Sequence, residues 1–322
     1  MSLRKLALDV YKGKAVTYNE VSGEEAIRNA IVKACGGEFN IYTFNQNKYN
    51  VFQILSEVLV LPTQEDLGVM FGGIVSVEHV GLGDTKEWKI KEPQSFKVAT
   101  VAAGTQDVRR QKVAGKKAIP VEVDYVAVKI YTELEDFITG EVDFVQMVND
   151  VNKSFELDTA KEINKVFVES ISGLDASLQV SGTVTEEKLL ELVSKVEGKT
   201  QLDCEIFGTK LALSKIAGAS TMVTEGQKEK YAELAHFGKF FSTDLVEMKQ
   251  IYDENGKGLL DDNKLYILPK GVDLIKVLYE GDPLVIEGDG TNRNDLQIEF
   301  FMRLKRGVAM LVPNYYGVYN IA

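Results

Sequence analysis

Residues 143–171 read DFVQMVNDVNKSFELDTAKEINKVFVESI. Phe144, Val148, Val151, Phe155, Ala160, Ile163, Val166, Phe167 and Ile171 recur mostly at spacings of three and four, the helical period. The stretch predicts one unbroken helix from Asp143 to Ile171, roughly 43 Å long at about 1.5 Å per residue. Phe144, Val148, Val151, Phe155, Ile163 and Phe167 are its expected core face. Few domains of this size need so long a strut, so its flanks decide the architecture.

Upstream, Trp88, Ile90, Phe96 and Val98 have strand-like spacing, a polar Gly-containing tip runs from Gly104 to Ala118, and Val121, Val123, Val126, Val128 and Ile130 read as a return strand. A two-stranded ribbon is marginal alone in water. It is therefore expected to reach across a neighbouring subunit. Ten basic against five acidic residues lie between Lys86 and Lys129, whereas Glu133 to Glu169 holds ten acidic against three basic. Opposite signs on adjacent modules favour head-to-tail docking. The candidate contacts are Arg109, Arg110, Lys112, Lys116 and Lys117 on the arm, and Glu133, Glu135 and Asp136 on the acidic side; two merely solvated faces would leave the same pattern.

Further out, Gly23 to Ala34 reads as a helix and Val51 to Val60 as a second, ending before Pro62. The Asn- and Tyr-containing run FNIYTFNQNKYN between them has poor periodicity, so residues 1–60 are expected to be an extended arm with a short helix. Beyond the strut, Glu186–Val196 and Thr209–Ala217 read as helices, and Leu202–Phe207, GKFFSTDLVEMKQI, KLYILPK and LIKVLY as strands. Leu296, Ile298, Phe300, Met302 and Leu304 alternate, with a partner strand expected past Gly307. The class is α+β.

The 322 residues carry a net charge of −11, which argues against binding nucleic acid over the whole surface. There is no apolar run long enough to span a membrane and no secretory h-region, so no membrane partner is expected. Cys35 and Cys204 make neither a disulfide framework nor a metal cluster. His79 and His236 stand apart from any triad, and no nucleophile elbow, phosphate loop or zincin motif occurs. Asp253, Asn255 and Gly258 begin like a calcium loop, but Lys257 and Lys264 stand where oxygen ligands belong. Gly288-Asp289-Gly290-Thr291-Asn292 and Gly81-Leu82-Gly83 read as turns. No catalytic residue, cofactor or metal is expected.

In this order of elements the chain resembles the major capsid proteins of tailed bacteriophages with the Hong Kong 97 fold. The resemblance is carried by Ala102-Ala103-Gly104-Thr105 before a basic tip, VEVDYVAVKIYTELEDF running into the long helix, IFGTKLALSKIAG, GKFFSTDLVEMKQ, and the terminal IEFFMRLKRGVAMLVPNYYGVYNI. It implies an N-terminal arm at 1–60, a lead into the P domain at 61–84, an E-loop at 85–131, and a P domain with its spine helix at 132–184. An A domain at 185–294 and return strands at 295–322 complete it. The implied function is a structural head protein, not an enzyme, that self-assembles into hexamers and pentamers of an icosahedral shell around double-stranded DNA, held by weak non-specific contact. A separate scaffolding protein, a portal and decoration proteins are the implied partners. The virion capsid, assembled in the host cytoplasm, is the implied location. An encapsulin-like compartment of the same fold is the alternative, and the extended N-terminal arm speaks for the virus. A small-oligomer enzyme with a carboxylate site is the second alternative.

Overall fold

The computed structural model describes residues 17–18, 21–37, 41–58, 64–71, 73–90, 96–101, 108–113, 115, 117–133, 144–219, 225–252, 256–288, 297–311 and 316–322. A short pair, β1 (Thr17–Tyr18) and β2 (Val21–Ser22), precedes helices α1 (Gly23–Ala34), α2 (Ile41–Val58) and α3 (Gln64–Phe71). Then follow β3 (Val75–Val80), β4 (Glu87–Ile90), β5 (Lys117–Pro120), β6 (Asp124–Glu133) and the long helix α4 (Phe144–Ile171). Strand β7 (Gln179–Gly182), helix α5 (Glu186–Thr200), strand β8 (Cys204–Gly208) and helices α6 (Lys210–Ala219) and α7 (Glu225–Leu234) come next. The remainder is strand: β9 (Lys239–Phe240), β10 (Thr243–Glu247), β11 (Lys264–Pro269), β12 (Ile275–Glu280), β13 (Leu284–Gly288), β14 (Gln297–Met310) and β15 (Gly317–Ile321).

The strut forms as its periodicity predicts. Val148, Val151, Phe155, Ala160, Ile163 and Phe167 are buried on one face; Phe144 opens the helix, and its side chain lies outside the described set. The helix is tied to the five-stranded sheet by a buried polar clamp. Arg306 Nη1 reaches Asp158 Oδ2 at 3.0 Å and donates to Thr159 Oγ1 at 2.8 Å, while the Thr159 hydroxyl donates to Phe155 O and lies 3.3 Å from the Tyr279 hydroxyl. Burial in this clamp pushes the Tyr279 phenol up to about 12.

Two sheets organise the rest. The five-stranded sheet runs β13-β14-β12-β3, with β6 also on β14; the six-stranded sheet runs β7-β15-β11-β8-β10-β9. Helices α5 and α6 bury Leu189, Leu192, Val193, Val196, Ala212, Leu213 and Ile216 over the second sheet. A Cβ on Gly317 would lie 3.1 Å from Leu192 and Val196, so glycine sets how near α5 can approach β15.

The structure departs from the sequence reading at five places. The helix expected from Val51 begins ten residues earlier, as one 18-residue helix Ile41–Val58, so the run 41–50 is helical and not extended. Val51 and Phe52 are buried, the Phe52 ring lies 5.7 Å from Phe300, and Ser56 Oγ accepts from Val285 N, so packing against the five-stranded sheet overrides weak local periodicity. In its polar half Asn47 donates to Cys35 O and Thr43 O. Helix α3, with Leu67 and Phe71 buried, carries no expectation from sequence.

The expected return strand is not the partner of the outgoing one: β6 pairs antiparallel along β14, Asp124 opposite Arg306 through Glu133 opposite Gln297. Strand β14 also runs 14 residues straight through Gly307, where a new partner strand was expected. A Cβ there would lie 2.5 Å from Glu122 O and 2.6 Å from Val121 Cγ1, so this glycine admits a crossing chain and breaks nothing. Finally, helix α7 lies between Ala217 and Gly238, where the sequence reading placed neither helix nor strand. Sheet pairing groups 275–288 with 297–310, whereas the chain end at 317–321 enters the six-stranded sheet between β11 and β7.

Candidate assembly surface

The arm is built from its root outward. Strands β4 and β5 make a four-pair ladder, Glu87 opposite Pro120 through Ile90 opposite Lys117. Trp88 Nε1 donates to Glu78 Oε1 at 3.3 Å, and Lys86 pairs with the same carboxylate while lying 5.7 Å over the Trp88 ring, which fastens the root to β3. Below it Gly83, at φ 88°, donates its N–H to Glu280 Oε1 at 2.9 Å, which also takes Lys305 Nζ at 2.6 Å. The Lys305 hydrogen bond, then the Gly83 amide, hold the Glu280 carboxyl below its ordinary range.

Farther along, the side chain of Gln111 stands in for a strand rung: Lys97 N donates to its Oε1 and its Nε2 donates to Lys97 O, both at 2.8 Å. The two limbs are thus still side by side well past the ladder. Here the arm exposes apolar surface, in the outgoing strand at Phe96 and Val98 and inside the expected polar tip at Val108 and Val113. Val98 is 96% exposed and Val113 65%, with Phe96, Val101 and Val108 also largely in solvent.

Arg109, Arg110 and Lys112 are exposed. Lys117 pairs with Ile90 in the ladder, its side chain outside the described set; Lys116 lies outside the described residues altogether. On the acidic side Glu133 is exposed at the end of β6, and Glu135 and Asp136 lie outside the described residues. No salt bridge joins Arg109, Arg110 or Lys112 to Glu133 within one chain. The outer face of β6 adds exposed Tyr125 and Tyr131, with Arg303 and Lys305 5.1 and 5.0 Å from the Tyr125 ring. Alternation along 125–131 carried that signal, but only the pairing with β14 tells which face is free.

The groups that could do chemistry are engaged elsewhere. His236 is buried, its Nδ1 accepting from Gly238 N, and burial lowers its pKa. His79 stacks on Tyr279 at 5.5 Å. Cys35 and Cys204 are free and buried, and burial pushes their thiols up to about 11 and about 12. Among the described residues no cluster of three or more metal-ligating side chains occurs, and no helix is long and apolar enough to cross a membrane.

Among solved structures, the chain is similar to one titled Microbacterium phage Oxtober96, at 9% identity and TM-score 0.49, over 76% of this chain and 89% of that one. It is similar to the capsid structure of the cyanophage P-SCSP1u, at 12% identity and TM-score 0.49, over 77% and 86%. It is also similar to a virus-like particle from Pyrococcus furiosus, at 12% identity and TM-score 0.43, over 92% and 98%. No curated protein matches it. A family described as "SPbeta prophage-derived putative capsid protein YonB" matches residues 2–312. With nearly its whole length inside that match, the chain belongs to this family of prophage-derived capsid proteins.

Proposed function

We propose that this capsid protein closes a shell of hexamers and pentamers around double-stranded DNA, with the arm of each copy lying on its neighbour. The observation that carries this reading is the arm: a fastened root, a Gln111 tie, and beyond them apolar and basic side chains held off the body. Val98 and Val113, mostly in solvent, add little to the subunit's own stability; buried on a neighbour, each apolar side chain yields up to about 1.5–3 kcal/mol. Arg109, Arg110 and Lys112 would meet the acidic stretch 133–143 of that neighbour. Each exposed pair is worth at most about 1 kcal/mol, but repetition around every capsomer makes many weak pairs decisive. Catalysis has no part in this role.

The net charge of −11 suits a container that holds DNA without gripping it, phosphate contacts being few and non-specific. A cargo compartment of the same fold is the second reading, favoured by one observation: helices α1 and α2 stand where an extended arm would have spoken for a virus. The prophage-derived family weighs for DNA. Negative-stain microscopy and light scattering of the purified protein should show closed particles or capsomers. Monomer or dimer at every concentration and salt would sink the shell, and particles that stay free of nucleic acid in a packaging-competent host would favour cargo.

A further inference from the structure

His236 lies buried in a turn whose backbone is costly to hold. Helix α7 closes with Ala235 N donating to Tyr231 O at 2.9 Å, and Ala235 itself sits at φ 60°, in the left-handed region where a β-carbon is strained. Phe237 follows, buried, and then Gly238 at φ 73°. His236 Nδ1 accepts the Gly238 N–H at 3.1 Å, and the carbonyl of the same glycine accepts from Leu245 N at 2.9 Å. Gly238 is thus the pivot that joins the end of α7 to the β9–β10 hairpin, at the outer edge of the six-stranded sheet.

This geometry fixes the protonation state of the ring. A ring nitrogen that accepts an N–H carries no proton, so His236 is the neutral imidazole with its proton on Nε2. A proton added at Nδ1 would set one N–H against another across 3.1 Å and turn the bond into a repulsion. Among the charges around the ring, burial acts most strongly and disfavours the cation; Glu247 on β10 favours it, and Lys210 at the start of α6 disfavours it again. Lys230 of α7 runs 3.3 Å from where a Cβ on Gly238 would stand, and Lys239 of β9 is paired with Asp244 of β10 at 3.0 Å. The folded ring therefore titrates below its ordinary value of about 6.5, and the stability it lends is whole above that value and lost as pH falls through the folded one.

We propose that His236 is an acid-sensitive latch: on taking a proton at Nδ1 it releases Gly238 and opens the segment 235–242, uncovering Phe237 and Phe240 at the sheet edge. Both rings are buried while the latch is shut, and Phe237 is held there by Tyr231 at 5.6 Å. The edge is closed at neutral pH and apolar below it. The latch lies within a single chain, so it stands or falls separately from the shell reading.

Hydrogen exchange of the full chain between about pH 7.5 and 5, corrected for intrinsic rates, tests this. Amides of 236–241 should lose protection about tenfold for each pH unit below about 6.5 until the folded value is passed, while those of α5 keep theirs. His236→Asn, whose Oδ1 can accept the same N–H and does not titrate, should hold protection level across the range. Nitrogen-15 spectra of the wild-type imidazoles, assigned with His79→Gln, need no variant at 236: Nδ1 should be bare at neutral pH and gain its proton in step with the exchange. Exchange at 236–241 that ignores pH overturns the proposal, as does a proton on Nδ1 already at neutral pH. Protection lost equally over α5 overturns it too, as does a pH dependence that survives in a folded His236→Asn chain.

Discussion

Replacing Gly307 by alanine tests the crossing of chain segments at the root of the arm. The added Cβ would lie 2.5 Å from Glu122 O and 2.6 Å from Val121 Cγ1, the first of these a backbone atom that no rotamer change can move. Restoring an ordinary contact needs a retreat of about 1 Å by residues 121–122, which join β5 to β6; overpacking of this kind costs roughly 1–3 kcal/mol. Gly198 provides the opposite sign from the same substitution. It sits on the exposed side of α5 with nothing within 4 Å of a Cβ, so alanine there should stabilise by roughly 0.5–1 kcal/mol through helix propensity. Urea denaturation of the unassembled subunit measures both. The two urea midpoints should move in opposite directions from that of wild type. A Gly307→Ala subunit as stable as wild type, alongside the expected gain at Gly198, would mean the crossing is not tight and β14 needs no glycine.

Phe155→Ala, emptying a fully buried site on the strut, should cost roughly 3–5 kcal/mol, and Asp158→Pro at least about 3 kcal/mol, since it also takes away the ion partner of Arg306. Variants melting within a degree or two of the parent would refute the strut. Reversing Arg109, Arg110 and Lys112 to glutamate should leave subunit melting nearly unchanged and block assembly, with partial rescue when Glu133, Glu135 and Asp136 become lysine in the same chain; normal assembly at moderate salt would refute the clamp. Hydrogen bonds from Lys270, at 2.8 Å, and from Lys239 hold the Asp244 carboxyl below the ordinary range. A depressed folded value gives stability that is present above the unfolded value of about 3.9 and lost as pH falls through the folded one. Asp244→Asn should therefore lower the melting temperature slightly at neutral pH, where that contribution is fully present, and approach the parent as pH falls below about 4; an unaltered neutral stability and acid slope would show that the pairing is idle.

The strut was legible because one chemical fact, apolar residues at helical spacing, fixes its conformation and its buried face together; Val148 through Phe167 needed no knowledge of their partners. The helices over the six-stranded sheet were legible for the same reason. Helix α2 was legible only from Val51 on: its first half is Asn- and Tyr-rich, and there Asn47 donates to Cys35 O, a partner that local periodicity does not contain. Gly307 misled because a local rule, that glycine interrupts a strand, lost to a contact with residues 121–122 that no local window contains. On the assembly surface, charge was readable and apolar character was not. Val98 read as an ordinary strand residue and Val113 as part of a polar tip, and only the backbone shows both standing in solvent.

The pairing of β3 with β12 has a kinetic consequence. These strands run parallel, and bonded partners such as Ser76 and Lys276 are 200 positions apart; β7 and β15, also parallel, bring together Ser181 and Asn320 across 139. Each sheet is thus completed only by closing a very long loop, and rates fall as contacts become less local. Until β12 and β15 seat, edges of β3, β7 and β11 remain open to pairing with other chains. Newly made subunits of such a topology spend a slow phase vulnerable to misassociation, so the supply of finished subunits, and with it the yield of correct particles, should fall off at high expression rate and recover when synthesis is slowed.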